Sequence, residues 1–201
     1  GMSWVLANLP TIAGHLLAHL LQAVPAIIAS FVLAIPIARL ARVARPLRAV
    51  LVTGSSLLYA VPSLALFVIL PIILATGIRD PLNVIVALTL YGLALLVPAT
   101  ADALDAVDAR VLDAATAMGM GRLRCFLTVE LPLAGPAILT GLRVVTVSTI
   151  SLTTVGAVLG VRSLGWLFTD GFQRGITAEI VTGLVATAAL ALVLDGLVLA
   201  L

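Results

Sequence analysis

The chain has 201 residues, of which 62% are hydrophobic and 10% charged, with a formal net charge of +2 at pH 7. That apolar share is beyond the usual range of soluble domains and calls for a bilayer, and the small net charge, spread over short loops, excludes nucleic acid as a partner. Cys125 is the only cysteine, so an intrachain disulfide, a thiolate metal cluster and a CxxC redox pair are all excluded.

Along the chain, Gly1 reads as an added residue ahead of Met2, and the first apolar segment lacks the basic flank and small-residue cleavage site of a secretory signal. It is therefore expected to stay as a span. A helix needs about 20 apolar residues to cross the hydrocarbon core, and five such stretches are predicted, over residues 12–40, 50–76, 82–100, 137–159 and 176–201. The first carries Pro25 and Pro36 and is long enough to tilt or kink. Because the last runs apolar to Leu201, a short cytoplasmic tail is expected beyond it. The whole chain, 1–201, reads as one transmembrane domain.

His15 and His19 stand four apart on the first span and so share a face, the geometry for two ligands of one metal. No third ligand is near in sequence, so packing at the outer leaflet is expected and no metal is assigned. Both histidines precede Pro25 and no G-x-S-x-G elbow exists, which leaves no serine-hydrolase triad and no catalytic residue. A P-loop is also absent. The chain is thus not expected to be an enzyme or to hold a cofactor, and active transport would draw its energy from a partner or an ion gradient.

The loop after the first span holds Arg39, Arg42, Arg45 and Arg48, and the loop after the third holds Arg110, Arg122 and Arg124; the opposite loops hold Arg79, Arg162 and Arg174. Positively charged loops stay in the cytoplasm, which puts the N-terminus outside and the C-terminus inside. Attraction to anionic lipid headgroups accounts for the Arg39 to Arg48 run. Asp195, near the inner end of the last span, is a candidate for proton or cation coupling, with a water-exposed helix end as the favoured reading.

The polar segment 101–136 is the longest connection. Asp108 is placed to cap a helix through Met118, Gly119 to supply a left-handed terminus, and a second helical stretch over 122–129 to stop at Leu131-Pro132. Alanines leave one side of the first helix with little bulk, so a groove on another protein can approach its backbone.

The run Asp113-Ala-Ala-Thr-Ala-Met-Gly119, followed by Glu130-Leu-Pro132, resembles the EAA loop of ABC importer permeases. Its continuation to Arg143, with Val61-Pro-Ser-Leu-Ala-Leu-Phe67 upstream and the Gly156 to Gly165 turn downstream, is similar to the osmoprotectant branch that takes up glycine betaine, carnitine and choline. The resemblance implies an all-α polytopic fold of the type I, MetI-like kind with cytoplasmic coupling helices. It implies a homodimeric permease, a separate cytoplasmic ATPase that holds the EAA helix like a ball in a socket, an extracytoplasmic substrate-binding protein, and a bacterial cytoplasmic membrane. Asp113, Ala114, Ala115, Gly119, Leu131 and Pro132 would carry the coupling. Departures are Asp113 for the family's Glu, Pro98-Ala99 for an Arg-Asn pair, and Gly160-Val-Arg-Ser-Leu-Gly165 for the glycine-rich turn.

Aromatic residues make up 4% of the chain, too few for a rich trimethylammonium cage, so selectivity is expected to reside in the binding protein. Ser55, Ser56, Tyr59 and Ser63 are candidates to line the passage, as are Thr146, Ser148, Thr149, Ser151, Thr153 and Thr154, although small hydroxyl residues also favour close helix packing. An ATPase-independent secondary transporter or channel is the alternative; the absence of an inverted repeat argues against it. A non-transporting assembly or sensor subunit is a third.

Overall fold

The computed structural model describes residues 1–201 and is helical throughout, without strands. A short helix α1 (Met2–Ala7) turns at Asn8, whose side-chain amide donates to Trp4 O at 2.8 Å, into α2 (Leu9–Val43). Pro10 sits in the first turn of α2, where no N–H is needed, and its 35 residues span about 52 Å, enough to require tilt in a bilayer. Ala23, Ala26, Ser30, Ala34, Ala38 and Ala41 form a fully buried stripe along α2, and Gly92 lies opposite Ser30. Without side-chain bulk the backbones approach closely, which is how helices associate in lipid.

The second predicted span is corrected by the structure. Residues 50–76 are not one helix but two, α3 (Arg45–Leu58) and α4 (Ser63–Leu74), bent by 109°. Pro62 disfavours helical backbone at Val61, and its own backbone is extended, with ψ 131°, ahead of α4. Tyr91 holds the corner: its hydroxyl donates to Val61 O, and its ring meets Tyr59 edge-on at 5.7 Å.

Helix α5 (Pro81–Asp105) begins at Asp80, whose carboxylate accepts from Leu82 N at 2.9 Å, and runs five residues past the predicted end. After the surface helix α6 (Ala109–Ala117), a continuous helical path rises through α7 (Arg122–Cys125), a π-helical turn (Phe126–Glu130), α8 (Leu131–Thr153) and a 3-10 turn (Thr154–Leu159). The predicted stop at Leu131-Pro132 therefore does not occur. Pro132 falls in the first turn of α8, where its missing N–H is tolerated, and the wider π turn absorbs the change of register. The connection expected on the outer side folds into α9 (Trp166–Arg174), which sequence reasoning left as loop, before α10 (Thr177–Leu199).

Four helices are long and apolar enough to cross a membrane, or five with the bent α3–α4 pair counted as one span. The core lies among α2, α5 and α8, whereas α10 buries only Glu179 and Gly183 and leaves most of its apolar surface open.

His15 and His19 are buried within the subunit. His19 Nε2 donates to Ile150 O at 2.9 Å while Nδ1 accepts from Leu164 N at 3.3 Å, and His15 stacks on Trp166 at 4.5 Å. Gln22 Nε2 donates to Arg162 O at 2.6 Å. One face of α2 thus satisfies the backbone of the outer 161–166 segment. There Gly165 packs with no room to spare, since a Cβ would fall 2.7 Å from Thr154 Cα. Gly165→Ala is expected to lower the melting temperature of the purified permease by several degrees, read by intrinsic fluorescence in detergent, because backbone cannot yield as a side chain can.

Candidate functional site

Helix α6 projects from the end of the molecule that also carries the predicted cytoplasmic loops. Asp108 Oδ1 accepts from Arg110 N at 2.9 Å, and the Arg110 guanidinium, 2.8 Å from Oδ2, holds the Asp108 carboxyl below its ordinary range, so the cap stays charged. The far end closes at Gly119 with φ +89°, the left-handed geometry expected of it, and no heavy atom lies within 4 Å of where a Cβ would stand.

The expected coupling residues separate into two sets. Asp113 and Ala114 are exposed on α6, as is Gly119 after it. Ala115 is the one buried residue of α6 and faces its own chain, with its carbonyl accepting from Met120 N at 3.2 Å. Pro132 is exposed and Leu131 half-buried against the core at the base of α8. Sequence reasoning missed the apolar part of this surface: Val111 and Met118 are 40% and 80% exposed, and Leu123 and Leu127, on α7 and the π turn, are 63% and 52% exposed. The seven-residue spacing of Val111 and Met118, which places both on one side of α6, was the available signal.

Beneath α6 lies a charged cluster. Arg42 of α2 pairs with Glu130 of the π turn and, at 3.0 Å, with Asp105 at the end of α5; Arg48 of α3 pairs with the same Asp105. Arg39 lies 4.2 Å from the centroid of the Phe126 ring. Arg39, Arg42 and Arg48 of the arginine run thus also meet partners within the protein. The ends of α2, α3 and α5 and the base of α8 are joined through a few side chains.

The candidate lining residues are divided likewise. Ser55, Ser56, Tyr59 and Ser63 stand exposed or half-buried around the α3–α4 corner. Thr149 and Thr153 are buried, and Thr153 returns its hydroxyl to Thr149 O at 2.7 Å, as Thr146 does to Leu142 O at 2.8 Å. In this chain these side chains are enclosed in the packing of α8. Ser148 and Ser151 remain on the open side.

Asp195 is also revised, since it is not a free helix end in water. Arg143 Nε and Nη2 donate to its two carboxylate oxygens at 2.9 and 3.1 Å, a forked ion pair between α8 and α10.

Residues 30–201 match the family model described as the binding-protein-dependent transport system inner membrane component. The chain is similar to the ergothioneine transport permease/ergothioneine binding protein of Helicobacter pylori, 33% identical over 151 residues, which cover 75% of this chain and 27% of that relative's length. It is 29% identical over 178 residues to the glycine betaine/carnitine/choline transport system permease protein of Bacillus subtilis, covering 88% of this chain and 76% of the relative. In fold it is similar to an inward-facing structure of the MetNI methionine ABC transporter, with a TM-score of 0.81 over 99% of this chain and 97% of that one at 20% identity. The MetI-like architecture expected from the sequence is thereby established.

Proposed function

The chain belongs to the family of binding-protein-dependent transport system inner membrane components, the permease subunits of ABC importers, and on that footing we propose that a separate ATPase drives it by gripping α6. It is a multi-pass membrane protein and not an enzyme, since ATP hydrolysis in this family resides in another subunit. The observation that carries the reading is the exposed face of α6. It offers small alanines for close approach, Asp113 without an ion-pair partner in its own chain, and Met118 as an apolar anchor.

The remaining partners are an extracytoplasmic binding protein and a second copy of this chain, in a bacterial cytoplasmic membrane. The open apolar surface of α10 supports the second copy. The α3–α4 corner supports a water-filled passage between copies, because non-helical backbone at membrane depth is tolerated only where protein or water satisfies it. The solute is a small quaternary-ammonium or zwitterionic osmoprotectant of the glycine betaine, carnitine or choline type, the class printed for several relatives.

Proteoliposomes with the permease, its cognate ATPase and its loaded binding protein test the reading. Uptake is expected with ATP inside and none without it. Uptake that follows an imposed ion gradient, with no ATPase present, would support the secondary-transporter alternative.

A further inference from the structure

The Arg143–Asp195 pair joins α8 to α10 within the spans and stays partly open. Arg143 precedes the end of the α8 path at Leu159 by about 27 Å of helix, and Asp195 follows the start of α10 at Thr177 by about 27 Å, which puts both toward the inner side of a hydrocarbon core about 30 Å thick. Their side chains keep 38% and 21% of their surface exposed and open onto a cleft of about 490 Å³, shared with Thr140, Val144, Val147 and Ser148. Lipid tails solvate such a pair poorly, which favours water or protein opposite the cleft.

The chemistry of the cleft is that of a zwitterion. Two opposite charges side by side are neutral as a whole, which keeps the empty site tolerable in a membrane. Only Nε and Nη2 of Arg143 are engaged, so a planar fork remains available for a second carboxylate. A quaternary ammonium cannot donate a hydrogen bond and needs only a nearby negative charge, which Asp195 supplies. The cleft volume lies in the range of small-molecule sites.

We propose that Arg143 and Asp195 form a transient station for the solute on the pathway: the pair opens, Arg143 receives the carboxylate and Asp195 the quaternary ammonium. This rests on the importer function proposed above. Glycine betaine carries both groups, whereas choline carries the cation and a hydroxyl in place of the carboxylate, so the two solutes separate the roles.

The test is ATP-driven uptake of radiolabelled glycine betaine and choline by the reconstituted complex. In Arg143→Gln, glycine betaine uptake is expected to fall about tenfold relative to choline uptake, because a site built for a carboxylate loses its partner. In Asp195→Asn both are expected to fall together. If Arg143→Gln does not accumulate in membranes, the amide pair Arg143→Gln/Asp195→Asn replaces it and is compared with Asp195→Asn for the same tenfold shift. An equal loss of both solutes in the arginine variant, or no loss, overturns the station and leaves a structural pair. A wild-type complex that carries neither solute overturns the solute class and the station with it.

Discussion

Replacing Gly119 by valine is expected to leave the permease folded in the membrane and to reduce uptake about tenfold or more, given that a left-handed non-glycine residue costs about 1–3 kcal/mol. The position has φ +89° and open space around it, so no packing is lost and no neighbour is struck. The β-branched side chain instead disfavours the turn itself, and the α6–α7 connection takes another path. Helix α6 then presents Asp113, Ala114 and Met118 at a different angle to a rigid socket. Gly119→Ala, with a smaller penalty, is expected to fall between valine and the wild type. Membrane yield and gel filtration report the fold, and ATP-driven uptake the coupling. Undiminished uptake by the valine variant would count strongly against a coupling role for this turn.

Arg42→Ala is expected to act on stability first. Glu130 is 9% exposed and takes its positive partner from α2, so truncation leaves a carboxylate confined beside the core. Breaking a buried pair costs about 3–5 kcal/mol, and the half-open setting of Arg42 places this one toward the lower end. The expected result is a clear drop in membrane accumulation and in melting temperature. Arg42→Ala/Glu130→Ala is expected to recover a good part of both, because the orphaned charge is gone. It should remain poor in transport if the cluster passes the motion of α6 to α2 and α3. A single variant as stable as the wild type would remove Arg42 from that linkage.

Much of the coupling segment was legible because its signals are local. Asp108 at a cap and a glycine at the helix end each act within a few residues, and the structure reproduces both, whereas the alanines divide, Ala114 outward and Ala115 toward its own chain. The spans were legible for the same reason, from the length of apolar runs. What was not legible depends on partners distant in sequence. The break at Pro62 could be suspected from the proline, but its 109° angle is held by Tyr91, thirty residues after its partner Val61. The arginine run looked like a headgroup anchor because Asp105 and Glu130, its ion-pair partners, lie in other elements. Thr149 and Thr153 carry hydroxyls that suit a pathway and a helix interface equally, and their burial shows only once α8 is packed. Asp195 was read alone because nothing in its own helix announces Arg143, 52 residues away.

The central claim is that a separate ATPase holds this chain by α6, and Ala114 is the position to test it, being exposed, small and remote from the core. The measurement is copurification of the untagged ATPase with tagged permease, wild type against Ala114→Arg, from membranes in which both permeases accumulate equally. The wild type is expected to bring the ATPase through size exclusion as one complex, and Ala114→Arg to elute without it. Recovery of the ATPase with Ala114→Arg at the wild-type yield would contradict the account.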